Sequence, residues 1–128
     1  MIHGIGIDIA ECERFRTRAD TGFLDQIFTG SEMPCHEDPV MATAGFATKE
    51  AVIKALGCGL GRGSCWHDIE IIGNSGDGIR ISGRLHDEQT AGQGRKFHIA
   101  TAQTRDLSIS FVLIEGPERT GPGKEDLS

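Results

Sequence analysis

Two acidic residues and one lysine occupy positions where charged side chains could act on a phosphate. The apolar run "IHGIGIDI" over 2–9 predicts a buried strand that ends at Asp8, and Glu50 lies within "GFATKEAVIKALG" over 45–57. Lys54 follows Glu50 by one helical turn, on the same face. Two carboxylates can bind Mg²⁺, which keeps several waters and bridges a phosphate, while a lysine contacts the same anion. The three residues therefore suggest a magnesium site for a phosphate-bearing ligand.

The same three residues also have a simpler interpretation. Asp8 could cap the helix that follows it, and Glu50 with Lys54 could form a surface ion pair worth only a few tenths of a kcal/mol. A carboxylate at the end of a buried strand still costs free energy unless it is paired or bound to a cation. Spacing alone favours the simpler interpretation, so the choice depends on the rest of the chain.

Hydrophobic periodicity predicts an α+β fold in the order β-α-α-α-β-β-α-β-β, with a small mixed or antiparallel sheet packed on one long helix. The predicted strands are 2–9, 68–72, 79–85, 96–104 and 107–115. The predicted helices are a short one at 10–20, the long one at 42–56 and a short, weak one at 86–94. A second apolar patch at 23–28 precedes "TGSE" at 29–32, which has capping-box spacing. Pro34 and Pro39 are expected to bracket a loop, and Gly57 suits the end of the long helix.

Length, charge and composition limit the classes of protein to which this chain can belong. The 128 residues are enough for one domain, predicted over 1–115. Residues 116–128 are rich in Gly, Pro and charge with nothing to bury, which predicts a disordered tail. The net charge of −6 argues against a nucleic-acid-binding protein, which normally carries a basic face. No apolar run approaches the ~20 residues that span a bilayer, and the N-terminus lacks a signal-peptide pattern. We therefore expect a cytoplasmic protein with no membrane or nucleic-acid partner.

The four cysteines are not spaced like metal ligands. They are Cys12, Cys35, Cys58 and Cys65, and they form no C-x-x-C pair and have no histidine at zinc-finger spacing. A disulfide stays open as an alternative, but reduced and partly buried thiols are the expectation for the cytoplasm.

Three ordered segments resemble a known enzyme family. "GIGIDI" at 4–9, "FATKEAVIKALGCG" at 46–59 and "DIEI" at 68–71 are similar to the holo-[acyl-carrier-protein] synthase family of 4′-phosphopantetheinyl transferases. The resemblance covers nearly all of 1–115, and "FAxKEAxxKALG" is its most specific element. The closing "HIATAQT" and "LSISFVLIE" also fit the last two strands of that family's fold.

The resemblance implies a reaction and a partner. In this family the 4′-phosphopantetheine group passes from coenzyme A to a serine of an apo acyl carrier protein, with Mg²⁺ as cofactor and 3′,5′-ADP as the leaving group. It also implies a homotrimer with each active site at a subunit interface. Arg14 matches a basic position that meets the acidic carrier, and Arg16 and Arg18 would extend that basic patch. The alternative for these arginines is an ordinary solvated helix face.

By position, the resemblance also assigns the residues around the nucleotide. Asp8 and Glu50 match the carboxylates that hold Mg²⁺, and Lys54 matches the lysine that contacts the phosphates, so all three are expected to be catalytic. The remaining expected contacts with coenzyme A are the two loop glycines and the end of the fourth strand: Gly57, Gly59, Gln103 and Thr104.

The chain also departs from the family pattern at several positions. Gly45 stands where arginine is usual, Gln103 where histidine is common and Leu107 where tyrosine is common. The Gly-Lys-Pro of the first hairpin is replaced by "DGIRI". These departures keep a second hypothesis open: a divergent homologue that binds a carrier protein without this activity, or that acts on another carrier-bound or coenzyme A substrate.

Overall fold

One long helix lies across an antiparallel sheet in the structure, a computed structural model that describes residues 1–17, 21–35, 37–57, 66–72, 79–82 and 94–118. The strands are β1 (Ile2–Glu11), β2 (Ile69–Ile71), β3 (Ile79–Ile81), β4 (Lys96–Gln103) and β5 (Leu107–Glu115). The helices are α1 (Glu13–Thr17), α2 (Thr21–Ile27) and α3 (Pro39–Leu56), with 3₁₀ turns at Met33–Cys35 and Trp66–Asp68.

The sheet topology confirms the predicted α+β class and both hairpins. β5 is the central strand of a three-stranded sheet and pairs antiparallel with β1 on one side and β4 on the other. β2 and β3 form a separate antiparallel pair. α3 packs on β1 and β5, so the long helix and the two terminal strands of the chain form one unit.

The first strand differs from its prediction in length and in orientation. β1 continues past Asp8 to Glu11, and it is not buried on both faces. Ile5, Ile7 and Ile9 point away from α3 and are 52%, 53% and 61% exposed. Alternate residues of a strand face opposite sides of the sheet, so the positions between these isoleucines are the ones that meet the helix.

Glycine on the helix-facing side of β1 lets α3 approach the strand backbone directly. A Cβ atom built on Gly6 would lie 1.9 Å from the carbonyl oxygen of Ala51, and one on Gly4 would lie 1.9 Å from that of Ala55. No side chain fits in that space. The alternation of glycine with isoleucine therefore sets the helix-to-strand distance, and Asp8 follows the glycines on the same side of the strand.

The long helix begins earlier than predicted because its N-cap is stronger than the sequence pattern indicated. The Asp38 carboxylate accepts hydrogen bonds from the backbone N–H groups of Val40 and Met41, both at 3.2 Å, and Pro39 is the first helical residue. Pro39 therefore starts a helix instead of closing a loop, and Pro34 lies in a 3₁₀ turn. Gly57 ends α3 at φ +78°, as predicted.

The predicted capping box is only half formed, and a 3₁₀ turn follows it. Thr29 Oγ1 donates to Glu70 Oε2 at 2.9 Å, and the Glu32 backbone N–H donates to the Thr29 carbonyl instead of to that hydroxyl. The backbone N–H of Thr29 donates to Glu32 Oε1 at 2.9 Å, which is the reciprocal bond of that motif.

The hydrophobic core forms two clusters along α3, one around Phe15, Phe28 and Phe46 and the other around Val52 and Val112. The apolar side chains of α3, such as Ala42, Phe46 and Ile53, are buried in these clusters, and Trp66 packs against both.

Several predictions concern residues outside the described ranges. These are the turn at 73–78, most of the weak helix at 86–94 and the end of the tail at 119–128, so each of them stays a prediction. The start of the tail does make contacts, since the backbone N–H of Gly116 donates to the Met1 carbonyl at 2.9 Å.

Cys12 is a buried free thiol, in agreement with the prediction. Of the helices in the described ranges, none has the length and hydropathy of a membrane span.

Candidate active site

Asp8 and Glu50 lie in the wall of one open pocket of about 380 Å³. β1 carries Asp8 on its helix-facing side, and α3 carries Glu50 opposite it, next to the glycine-lined contact between the two elements. The other residues of the wall come from β1, α1 and α3; they are Ile9, Ala10, Glu11, Arg14 and Phe46. The fold therefore brings together the two carboxylates predicted as metal ligands, although Asp8 and Glu50 are 42 positions apart in the chain.

Lys54 pairs with Asp8 and not with Glu50. Its ammonium donates to Asp8 Oδ1 at 2.8 Å and to the Ile7 carbonyl at 3.1 Å. The side chain of Lys54 is 40% exposed and that of Asp8 is 15% exposed, so the ion pair is partly exposed to solvent. The Glu50–Lys54 ion pair of the simpler interpretation is wrong, because strand β1 supplies the lysine with a closer carboxylate and a carbonyl.

Glu50 has a different partner. Oε1 of the half-buried Glu50 accepts a hydrogen bond from the indole N–H of Trp66 at 2.7 Å. Within the described ranges, Glu50 Oε2 and Asp8 Oδ2 accept no hydrogen bond. Each carboxylate thus has one oxygen bonded to the protein and a second oxygen that no described residue contacts by a hydrogen bond, so a ligand could use it.

This donor set fits Mg²⁺. That ion is usually bound by one or two carboxylates together with waters and substrate phosphates, and not by a complete cage of protein ligands. The described residues contain no group of three or more His, Cys, Asp or Glu side chains arranged for a metal. Two carboxylates with an available oxygen each, beside an open pocket, match the sparse protein ligation that a phosphate-bridging Mg²⁺ requires.

The arginines of the first helix have different surroundings. The Arg14 guanidinium lies over the ring of Phe46, 5.3 Å from its centroid, and lines the pocket. Arg16 instead donates to the Arg105 carbonyl and lies 3.5 Å from the Asp106 carboxylate. The predicted basic patch is therefore partly neutralised at Arg16, and Arg18 lies outside the described residues.

Two of the predicted nucleotide contacts lie away from the pocket. Gln103 and Thr104 are exposed at the turn between β4 and β5. Thr104 Oγ1 accepts the backbone N–H of Leu107 at 3.0 Å, which stabilises the turn. Strand β5 lies between β4 and β1, so the structure of one chain does not bring these residues to Asp8 and Glu50. Gly57 is exposed at the end of α3, and Gly59 is outside the described ranges.

A buried ion pair under the site was missed by the sequence reasoning. The ammonium of Lys49, which is fully buried, donates to Glu32 Oε1 at 2.7 Å and to the carbonyls of Ile27 and Trp66 at 2.8 Å each. Burial lowers the pKa of Lys49, and the hydrogen bond and charge of Glu32 oppose that shift. Phe46, Lys49 and Ile53 have i, i+3, i+7 spacing, so a charge on the apolar stripe of α3 was the available signal.

Comparison with known sequences places the chain among phosphopantetheinyl transferases. Residues 4–112 match the sequence profile described as the 4′-phosphopantetheinyl transferase superfamily. The chain is 35% identical to a holo-[acyl-carrier-protein] synthase of Geobacillus kaustophilus, over 95% of this chain and 93% of the relative. It is 40% identical to the protein of that name from Chlorobaculum parvum, over 87% and 97% of the two chains.

Solved structures agree with the sequences. A holo-(acyl-carrier-protein) synthase from Bacillus anthracis, in complex with CoA (3′,5′-ADP), superposes with a TM-score of 0.69 at 27% identity, covering 91% of this chain and 99% of the other. The Helicobacter pylori holo-[acyl-carrier-protein] synthase in complex with coenzyme A gives a TM-score of 0.68 at 26% identity, covering 87% and 99%. The chain therefore belongs to the holo-[acyl-carrier-protein] synthase family of the 4′-phosphopantetheinyl transferase superfamily, and it is a transferase.

Proposed function

We propose that this protein transfers the 4′-phosphopantetheine group from coenzyme A to a serine of an apo acyl carrier protein, in a Mg²⁺-dependent reaction that releases 3′,5′-ADP. The observation that carries the proposal is the pocket in which Asp8 and Glu50 each keep an oxygen available to a ligand. Relatives from B. anthracis and H. pylori that are described in complex with CoA (3′,5′-ADP) and with coenzyme A support coenzyme A as the donor.

The site residues have separate tasks in this reaction. Asp8 and Glu50 would hold Mg²⁺, which when bound supplies positive charge against the diphosphate. The serine hydroxyl of the carrier attacks the pantetheine-bearing phosphorus and gives its proton to a carboxylate or a water of the site, and the bond from that phosphorus to the oxygen of 3′,5′-ADP breaks. The ammonium of Lys54, 2.8 Å from Asp8, is placed to stabilise charge that develops on the phosphoryl oxygens.

Arg14 is the best candidate for contact with the acidic carrier protein. The chain as a whole carries a net charge of −6, so recognition of an acidic partner depends on local cations. Arg14 makes no ion pair with the described residues, and the ring of Phe46 holds its guanidinium at the pocket wall. Arg16 is less suited to that task because Asp106 already lies beside it.

We also propose that the chain assembles as a homotrimer. The outward face of β1 and β5 is apolar and exposed, and such a patch on a folded protein is typical of a protein–protein interface. Its most exposed residues are Ile5, Ile7, Ile9, Leu107 and Ile109. A neighbouring copy on this face would also explain why Gln103 and Thr104 lie away from the pocket of their own chain. The number of three subunits and the cytoplasmic location rest on the sequence resemblance and pattern.

A transferase with a different carrier-bound or coenzyme A substrate is the second candidate. Gly45 is buried in α3, so no cation projects at the position where the family pattern has arginine. A charge-assisted hydrogen bond to a phosphate contributes roughly 1.5–3 kcal/mol, so this loss favours a nucleotide or carrier contact that differs from that of the relatives.

Mass spectrometry of a carrier protein tests the proposal directly. The enzyme is incubated with an apo acyl carrier protein, coenzyme A and Mg²⁺, and transfer adds about 340 Da to the carrier, as the assigned phosphoryl transfer requires. The same mixture with excess chelator should show no addition. A panel of apo carriers that all stay unmodified would contradict the proposed reaction and favour the second candidate.

A further inference from the structure

The indole ring of Trp66 connects the buried ion pair to the candidate metal ligand. Trp66 begins the 3₁₀ turn before β2, and it is the single tryptophan of the chain. Its side-chain N–H donates to Glu50 Oε1 at 2.7 Å, while its backbone carbonyl accepts the Lys49 ammonium at 2.8 Å. Lys49 and Glu50 are adjacent on α3, so the same helical turn contacts the backbone carbonyl and the indole N–H of Trp66.

The backbone of Trp66 is held by a fully bonded cation. A lysine ammonium has three donors, and those of Lys49 are used by Glu32, by Ile27 and by Trp66 itself. Glu32 is in turn fixed by the Ile71 backbone N–H, which donates to its Oε2 at 2.8 Å. Breaking a buried pair of this kind leaves an uncompensated charge, so the anchor of Trp66 resists displacement.

The ring of Trp66 is held by packing as well. It contacts both hydrophobic clusters, and its centroid lies 5.9 Å from that of Phe46, which lines the pocket. An indole N–H is only a donor, so it can occupy one carboxylate oxygen without competing for a cation. Carboxylates that bind metals are commonly oriented by such hydrogen bonds from a second layer of residues.

We propose that Trp66 is a positioning residue for Glu50: its indole N–H fixes Oε1 so that Oε2 stays available to the metal, and the Lys49–Glu32 pair fixes Trp66. This inference rests on the proposed Mg²⁺-dependent function. A tryptophan that only fills the core would leave the orientation and the cation affinity of Glu50 unchanged when its N–H is removed.

The single tryptophan makes the hydrogen bond observable without any transfer activity. In a ¹⁵N–¹H correlation spectrum the protein has one indole resonance, and Glu50→Gln is expected to move it because the acceptor loses its charge. Added Mg²⁺ with coenzyme A should also move the wild-type resonance. Glu115→Gln is the matched control, since this exposed carboxylate on β5 contacts His98 and should leave the resonance in place.

Trp66→Phe keeps an aromatic ring and removes the donor. We expect Mn²⁺ binding in the presence of coenzyme A, followed by electron paramagnetic resonance of the free ion, to weaken roughly 10-fold, the lower end of the effect of losing such a partner. An indole resonance that ignores Glu50→Gln, or wild-type Mn²⁺ affinity in Trp66→Phe, would overturn the positioning role. If Trp66→Phe does not fold, the Glu50→Gln spectrum still decides the question.

The outcome for Trp66 is separable from the outcome for the proposed reaction. A wild-type protein with the coupled indole resonance and the Mn²⁺ effect, but with no mass addition to any carrier, would support the positioning role and contradict the transfer reaction. A wild-type protein that modifies a carrier but binds no Mn²⁺ would overturn the positioning role.

Discussion

Lys54 lies on the same helix as Glu50, one turn away, yet its ammonium contacts Asp8 on the first strand at 2.8 Å. Glu50 is instead held by the indole of Trp66 at 2.7 Å. The two carboxylates of the pocket therefore have different partners, a cation for one and a neutral donor for the other. Lys54 therefore forms an ion pair with Asp8, whereas Glu50 has no cation partner among the described residues.

Substitution of Glu50 by glutamine should abolish transfer while the fold is retained. The amide keeps the shape of the side chain but loses the charge that would hold Mg²⁺, and removal of one charge-stabilising group commonly lowers the rate roughly 100-fold or more. Carrier modification followed by mass measures the rate, and thermal unfolding checks the fold. Glu115→Gln, at an exposed position, is the control and should modify the carrier at the wild-type rate. Full activity in Glu50→Gln would refute the metal-binding role.

Lys54→Met should reduce activity far more than stability. The pair with Asp8 is partly exposed, so its loss is expected to lower the free energy of unfolding by less than about 1 kcal/mol. The proposed phosphoryl transfer loses the ammonium that is bonded to the pocket residue Asp8, and we expect kcat/KM for coenzyme A to fall at least about 100-fold. Steady-state kinetics and urea unfolding measure the two effects. Equal kinetics in the variant and wild type would show that the lysine has only a structural role.

Gly6→Ala should destabilise the fold strongly because α3 leaves no room for a methyl group. The new Cβ would meet the Ala51 carbonyl oxygen at 1.9 Å; that oxygen belongs to the backbone and the Cβ position is fixed by the strand, so no side-chain rotation relieves the clash. We expect a loss of about 3 kcal/mol or more in the free energy of unfolding, measured in urea. Gly30→Ala is the matched control, since nothing lies within 4 Å of its Cβ position. A change in that control as large as in Gly6→Ala would contradict the steric explanation.

Glu70 should make the fold more sensitive to acid. The hydroxyl groups of Ser31 and Thr29 donate to its carboxylate and lower its pKa below the usual 4.5, with Arg80 and Lys49 adding smaller effects against the opposing desolvation. A carboxyl whose pKa is lower in the folded state binds fewer protons there than in the unfolded state. Its stabilisation is therefore present above pH 4.5 and is lost as the pH falls through the folded pKa.

Urea unfolding of wild type and Glu70→Gln from pH 6 to pH 3, a range around the usual glutamate pKa, measures this contribution. The wild type should be the more stable protein at the upper end, and the difference between the two should shrink as the pH falls. A difference that stays constant through this range would contradict the lowered pKa of Glu70.

A charge on the outward face of β1 should prevent assembly. Ile5→Lys places an ammonium among the exposed isoleucines, and a buried unpaired charge in an interface costs several kcal/mol. Sedimentation velocity should give a trimer for the wild type and a monomer for the variant, with a parallel loss of transfer. Ile72→Lys is the control because Ile72 is 57% exposed and lies after β2, outside this face. A monomeric wild type would contradict the proposed trimer.

The sequence by itself was enough to identify the family and to single out the two carboxylates that the fold brings to one pocket. The ordered motifs around Asp8 and Glu50 made the match, and the periodicity and capping signals predicted α3, its end at Gly57 and both hairpins. These features depend on residues that are close together in the chain. The spacing of residues along the chain predicts such local features well because side-chain directions repeat every 3.6 residues in a helix and every two in a strand.

Only the tertiary structure decided which charges meet and which face of β1 is covered. Lys54 and Asp8 are 46 positions apart, Glu50 and Trp66 are 16 apart, and Lys49 and Glu32 are 17 apart, so no helical or strand period relates them. The apolar run of β1 predicted a buried strand, whereas the structure covers its glycine face and leaves its isoleucine face exposed. The helix packs on the glycine face because glycine has no side chain to keep the two backbones apart. The isoleucines on the other face stay exposed, and Asp8, on the glycine side, lies in the pocket.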